Sequence, residues 1–435
     1  MENREQNRNH RRNVELKGNA IYLYNLNHPA CVSGFIRCIR ICIEKRIAKV
    51  KVIIKCSTVF PNACLPIAGL IQYYKDTHGI DFIFDIPFRH YLSSCGFEKP
   101  FYLSVDEIKA DKHPFDKIIC YDKSEQVAEL TQSYINAISH SSECASGVIN
   151  SLIWCLNEVM DNVLLHSESD CGYILVQYHP QQKHIAICIF DYGIGIYQTL
   201  RGTSHDPKTP LDALSLSIQE GVGDGKGQGN GLFGLYGIVE NNKGQLTITS
   251  GNASIFYRSN NELIKFDKLP IIDEGHSGTI VDFQMDLSND VDITKVFKSI
   301  GGFDGFDIRL DDMLNDNDLY QYDVYANCSG TATREAGKAS YNDVLNIITR
   351  TNAPIILDFS NVKNISSSFI DEFIAKLIVR TGFYKFNQMF RLIGMNAMVE
   401  HLCNRAVAMR IFGEWENIDV NGAIDETPQK LRFHA

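Results

Sequence analysis

The chain has 435 residues, 44% hydrophobic and 22% charged, with a formal net charge of −10 from 52 acidic against 42 basic residues. That is ordinary globular composition with room for two or three domains, and the acidic balance argues against nucleic-acid binding over the whole surface. No stretch reaches the roughly 18 apolar residues of a membrane helix, no signal-peptide core follows Met1, and the thirteen cysteines lie scattered without a CxxC pair, an odd total that suits a reducing cytosol.

Residues 1–16, with Arg4, Arg8, Arg11 and Arg12 among Asn and His, read as a flexible, solvated arm rather than a nucleic-acid or membrane anchor. A first domain is expected over 17–123. It takes a short strand at Ile21–Tyr24, an amphipathic helix over 29–46 and a β-branched strand at Val50–Lys55. A helix at Leu65–Tyr74 and a strand at Asp81–Phe84 follow. This alternation is α/β. Cys38 and Cys42, four apart on the first helix, read as small core residues rather than a redox pair.

A second domain is expected over 124–290. Helices at 125–139 and 148–166 precede strands at Gly172–Tyr178 and His184–Phe190. Strands at Gly244–Ser250, Ser254–Tyr257 and Thr279–Met285 complete an α+β pattern with a largely antiparallel sheet. A third domain over 292–415 takes a strand at Tyr322–Asn327 and a helix at Ser340–Arg350. It continues with a strand at Pro354–Phe359, a helix at Ser368–Val379, a strand at Phe390–Ile393 and a helix at Met395–Arg405. Its order echoes the first domain without a strict repeat. Residues 416–435 read as a polar tail.

The chemistry concentrates in the central region. On the 148–166 helix, Leu152, Ile153, Leu156, Val159, Met160, Val163 and Leu164 cover an arc of about 140°. Glu158, Asn162 and His166 lie one turn apart beside that stripe, so the helix can pack on a sheet while offering a polar row to a pocket. A solvated face is the alternative. Asp191 ends an apolar strand and runs straight into Gly193 and Gly195. A carboxylate there can accept a hydrogen bond from an exocyclic amine, and the glycines let a flat ligand approach. An ordinary Asp/Gly turn is the alternative.

Residues 221–237 hold Gly221, Gly223, Gly225, Gly227, Gly229, Gly231, Gly234 and Gly237, then turn apolar and helical through Leu232–Val239. A glycine-rich loop feeding a helix N-terminus can cradle phosphate with backbone N–H groups, and Lys226 can add a point charge. The loop lacks the Walker A pattern and sits outside a βαβ context.

These three blocks resemble the N-box, G1 box and G2 box of the GHKL ATPase fold (gyrase, heat-shock chaperone, histidine kinase, MutL). Ser277-Gly278-Thr279 resembles its closing Gly-Thr element. The resemblance covers about residues 125–290. It implies a two-layer α/β sandwich, the Bergerat fold, binding ATP and Mg²⁺. It places Glu158 as general base, Asn162 as Mg²⁺ ligand and Asp191 as the adenine reader. Gly193 and Gly195 match the G1 glycines, and Gly229, Gly231 and Gly234 the lid, which would span 200–230. Gly227, Lys226 and Thr279 join the cofactor-binding set. A carboxylate one turn from the metal amide can orient water or a hydroxyl toward the γ-phosphate, and Mg²⁺ needs few protein ligands.

Ile355-Ile356-Leu357-Asp358-Phe359-Ser360-Asn361-Val362 through Ile365-Ser366-Ser367-Ser368-Phe369 resembles the core of a STAS domain, as in anti-anti-sigma factors. Ser367 falls at the phosphorylatable serine of that family. Ser366 replaces the family's usual aspartate and Phe369 its usual glycine, and a helix cap at Ser366 or Ser367, the preferred reading, suffices without any chemistry. The first domain resembles a degenerate STAS module around Val52–Leu70, with Pro61-Asn62-Ala63 at the equivalent turn and no serine acceptor.

Together these resemblances imply a cytoplasmic ATP-binding regulatory protein, a GHKL serine-kinase-type switch acting on or through STAS-like modules, with a STAS or other regulatory protein as partner. An alternative is a non-kinase ATPase whose ATP-closed lid gates partner binding or homodimer formation. Another is a nucleotide-sensing scaffold without turnover. A histidine autokinase fits less well, because His140 lacks the acidic and apolar neighbours of a phosphoacceptor box.

Overall fold

The computed structural model describes residues 13–224, 229–258, 262–267, 278–297, 308–315 and 317–416. The protein is mixed α/β, with three sheets. Contacts divide it into two compact units, one of residues 1–138 and 144–307, the other of 139–143 and 308–435.

The first unit holds two sheets. In the smaller, β1 (Val14–Lys17) pairs antiparallel with β2 (Ala20–Leu23), and β3 (Lys49–Ile54) and β4 (Asp81–Asp85) follow in parallel. Strand β1 begins inside the stretch expected to be a flexible arm. Residues 1–12 lie outside the described residues. The helices Ala30–Glu44 and Pro61–His78 return the chain between the parallel strands. Pro61 stands at the first turn of its helix, where no backbone donor is lost, and Gly79 closes it in the left-handed region at φ 63°.

The larger sheet has eight strands in the order β11-β10-β9-β12-β8-β7-β6-β5. These are β5 (Phe101–Tyr102), β6 (Ile119–Tyr121), β7 (Gly172–His179), β8 (His184–Asp191), β9 (Gln245–Ser250), β10 (Ala253–Arg258), β11 (Glu262–Phe266) and β12 (Thr279–Asp286). Strands β5, β6 and β11 are additions to the expected set. Strands β6 to β12 pair antiparallel, and only β5 and β6 are parallel.

This sheet is buried on both faces. Ile185, Ile187 and Ile189 of β8 pack toward the Val148–His166 helix, while Cys188 and Phe190 pack with Tyr173 and Leu175 into the core of the Pro61–His78 helix. Strands β7 and β8 therefore read as near-continuous apolar runs. The helix reaches the sheet at Gly69, where a Cβ would lie 2.5 Å from the Phe190 ring. So residues 17–123 and 124–290 lie within one compact unit.

By length and hydropathy the Val148–His166 helix could cross a membrane, but most of its window is buried inside the protein.

In the second unit, β13 (Tyr320–Asp323), β14 (Ile355–Asp358) and β15 (Phe390–Ile393) form a parallel sheet in that order. Helices Arg334–Thr351 and Ala397–Glu416 pack with a third, which starts at Ser367–Ile370, is π-helical over Asp371–Ala375 and ends at Lys376–Thr381. Tyr322, Leu357, Phe359, Phe369 and Phe373 fill the core. The strand expected at Tyr322–Asn327 stops at Asp323, because the Asp323 carboxylate accepts the N–H groups of Tyr325 (2.8 Å) and Ala326 (3.0 Å) and caps a short helix.

Candidate functional site

The face of the large sheet that meets the Val148–His166 helix carries a cavity of about 530 Å³, within the usual range for a small-molecule site. Three strand ends make one margin. Asp191 at the end of β8 is in register with Thr279 at the start of β12, and Thr279 with Ser250 at the end of β9. Ser250 Oγ donates to the Gly278 carbonyl (3.1 Å) and accepts the Ile196 N–H (2.9 Å), which ties the strand ends to the helix Gly195–Leu200. Below this row, Ile189 and Val281 give the cavity an apolar floor.

Asp191 is only 4% exposed. Burial pushes its carboxyl up to about 7, against the pull of hydrogen bonds from the Gly193 and Thr279 backbone N–H groups. The Gly193 N–H donates to Asp191 Oδ1 at 2.8 Å. Gly193 has no room for a side chain: a Cβ there would sit 1.9 Å from the Ser167 carbonyl oxygen. Around that glycine, Ile194 N–H donates to the same Ser167 carbonyl (2.8 Å), and Gly278 N–H to the Gly193 carbonyl (2.7 Å). The Asp-Tyr-Gly turn is thus clamped from both sides.

The opposite wall is the polar row of the Val148–His166 helix. Glu158, Asp161, Asn162 and His166 all line the cavity. Burial and then the neighbouring Asp161 raise the Glu158 carboxyl, and burial raises that of Asp161. His166 Nδ1 lies 2.9 Å from Asp224 Oδ2, a residue of the glycine-rich run.

That run closes the third side. Gly229, with φ 68°, Asn230 and Gly231 line the cavity. Asn230 Oδ1 accepts the Gly221 N–H at 3.0 Å, which folds the run back on itself. Gly231 then opens the helix Gly231–Asn242. A Cβ on Gly231 would stand 3.0 Å from both Glu158 Oε2 and Asn162 Nδ2, and one on Gly234 would meet the Trp154 ring at 2.3 Å. The helix start is therefore seated directly on the Glu158–Asn162 row.

Of the residues singled out from sequence, Glu158, Asn162, Asp191, Gly195, Gly229, Gly231 and Thr279 line this one cavity. Gly193 and Gly234 stand behind its wall and set its backbone. Lys226, Gly227 and Ser277 lie outside the described residues. Three contributors escaped sequence reasoning. Asp161 falls beside the polar row, Asp224 is a non-glycine in the glycine run, and Ser250 enters only through strand register. No cluster of three or more His, Cys, Asp or Glu suited to a metal occurs among the described residues.

Ser367 belongs to the second unit. It is exposed and is the first residue of its helix. The cap is Ser366, whose Oγ accepts the Phe369 N–H at 3.0 Å.

Residues 336–400 match the family described as a STAS-like domain of unknown function (DUF4325). The second unit thus contains a STAS-like domain, from the helix Arg334–Thr351 through β15 to the start of the last helix. Its close packing rests on Gly337, where a Cβ would lie 2.5 Å from the Phe369 carbonyl oxygen. The match does not reach the cavity residues. No curated protein matches the chain.

Proposed function

We propose that the first unit binds ATP with Mg²⁺ in this cavity, in the manner of a GHKL domain with a Bergerat fold. In this reading the protein is a regulatory switch of serine-kinase type whose STAS-like domain faces a protein partner. The observation that carries the reading is the meeting of three sequence blocks on one cavity. A buried carboxyl stands at the margin, a carboxylate–amide row forms one wall, and a glycine-led helix start is seated against that row.

The donor set fits the group. Asp191 accepts the N–H groups of Gly193, on Oδ1, and of Thr279, and the remaining acceptor capacity of a two-oxygen carboxylate suits an exocyclic amine. Ile189, Val281 and Val163 suit an aromatic ring. The helix start at Gly231 favours phosphate through its dipole. Asn162, with Asp161 and Glu158 beside it, suits a hydrated Mg²⁺ held by few protein ligands. Mg-nucleotide would supply the phosphoryl group, with the metal ion neutralising its charge. Glu158 would then be the group that takes a proton from a hydroxyl or a water, and burial and Asp161, which raise its carboxyl, make it a better base than an exposed glutamate.

The test is intact mass after incubation with Mg-ATP, with Glu158→Ala as control and Asn162→Ala as the binding control. The expected result is a phosphoryl mass gain, lost in Glu158→Ala, while Asn162→Ala loses Mg-ATP affinity. Phosphate released to water without a mass gain would favour the ATP-gated alternative, in which lid closure controls partner binding. Unchanged Mg-ATP affinity in Asn162→Ala would sink the site assignment.

A further inference from the structure

On the opposite face of the large sheet, two cysteines meet at the junction of β6 and β7. Cys120 is in register with Tyr173, and Cys171 lies two residues before Tyr173, so the three side chains share a face. Cys120 and Cys171 are thus diagonal neighbours across the strand pair, each acting on the other's thiol, and Cys171 Sγ is 3.9 Å from the Tyr192 hydroxyl. Nine of the thirteen cysteines are buried, and these two are among the four that are half-buried. Burial pushes the Cys31 thiol up to about 12 and that of Cys38 up to about 11. Cys171 moves the other way, below the usual thiol range, with the neighbouring Cys120 thiol as the first cause. A half-buried thiol lowered in this way, with a second thiol beside it on the same face, is the setting of a reactive cysteine.

We propose that Cys120 and Cys171 are a redox-active pair that a hydroperoxide converts to a disulfide. The Cys171 thiolate attacks the outer oxygen of the peroxide. The O–O bond breaks, Cys171 becomes a sulfenic acid, and the leaving oxygen takes up the proton to give water or an alcohol. The Cys120 thiol then attacks the sulfenic sulfur, the S–O bond breaks, and water leaves with the thiol proton. Two thiols are oxidised and one peroxide is reduced, and an external dithiol reverses the step. The bond closes a loop that contains the helices Ser124–Ser141 and Val148–His166. The helix bearing Glu158 and Asn162 lies inside that loop, and crosslinks of this kind restrict the unfolded chain.

The experiment treats the reduced full chain with limiting hydrogen peroxide. Remaining thiols are then alkylated and the digest is mapped by mass spectrometry. The expected product is a Cys120–Cys171 crosslinked peptide lighter by two hydrogens, absent after dithiothreitol. In Cys120→Ser, Cys171 is expected as a sulfenic acid trapped by a cyclic dione. Recovery of both cysteines as alkylated thiols, whatever the other cysteines do, overturns the proposal, as does a crosslink of either to another cysteine. The wild-type map decides the matter even if the variant does not fold. No nucleotide enters the assay, so neither outcome bears on the ATP reading.

Discussion

At the scale of single residues, the site is defined by what its atoms leave room for. Asp191, buried and pushed up to about 7, is largely protonated below that pH when no ligand is bound. A ligand that donates an amine hydrogen needs the carboxylate. Binding must then release a proton, so adenine-nucleotide affinity is expected to rise as pH climbs through about 7 and to level off above it. Below that pH the limiting slope is about tenfold per unit. In Asp191→Asn the amide oxygen is claimed by the backbone N–H donors of Gly193 and Thr279 and the NH₂ faces the ligand. Affinity should fall by about 10- to 100-fold, the worth of a hydrogen bond to a charged group, and this pH component should vanish. Titration calorimetry of both proteins across pH 6 to 8 checks it, since phosphate ionisation is common to the two. Gly231→Ala tests the opposite wall. Its Cβ would press on Glu158 Oε2 and Asn162 Nδ2 at 3.0 Å, atoms at the ends of side chains that can yield. The fold should survive while Mg-nucleotide affinity drops about tenfold or more. Wild-type affinity in a folded variant would mean that this face of the row is not used.

At the scale of elements, what was legible in the sequence is what local pattern controls. The polar row Glu158–Asn162–His166, the apolar strand ending at Asp191 and the helix after the glycine run all follow from periodicity and glycine placement. Ser250, Asp224 and the short strands β5, β6 and β11 did not, because their place depends on partners far along the chain. The double burial of β8 was hidden for the same reason: its second apolar face became intelligible only with the Pro61–His78 helix behind it. Gly69 is the residue that permits this packing. In Gly69→Ala, a gain of about 1 kcal/mol in helix propensity opposes a Cβ placed 2.5 Å from the ring of Phe190, which is itself 1% exposed. Overpacking of a core costs roughly 1–3 kcal/mol, so the net effect should be destabilising. The denaturation midpoint should fall at an unchanged m-value. A variant as stable as the parent would show that helix and sheet can part there freely.

At the scale of the whole molecule, the two compact units divide the chemistry. The cavity residues all belong to the first, and the STAS-like domain at 336–400 to the second. Each has its own core, built respectively around the eight-stranded sheet and around Tyr322, Leu357 and Phe373. The second core also holds a buried ion pair. Burial would raise the Asp343 carboxyl, but Arg309 and then His140 bring it below the usual range, and Arg309 Nη1 donates to Asp343 Oδ1 at 2.8 Å. A group depressed in this way contributes stability at neutral pH that is lost as pH falls through its folded value. Acid should therefore weaken the second unit through Asp343. The first unit's Asp191, raised to about 7, has the opposite sign: its ionisation above the unfolded value costs stability, so that unit is relieved as pH falls from 7 toward 4. Ligand adds a second separation. Mg-ATP at a hundred times its Kd should stabilise the unit that binds it by about 2.7 kcal/mol and leave the other where it was. Scanning calorimetry is expected to show two transitions, one moved upward by Mg-ATP and insensitive to Arg309→Met. The other should be unmoved by nucleotide and lowered by that substitution, which takes its main partner from a buried carboxylate and leaves it His140, at a cost of up to about 3–5 kcal/mol. A single transition that both perturbations shift together would mean that the units fold as one, and that nucleotide binding in the first is felt directly by the STAS-like domain in the second.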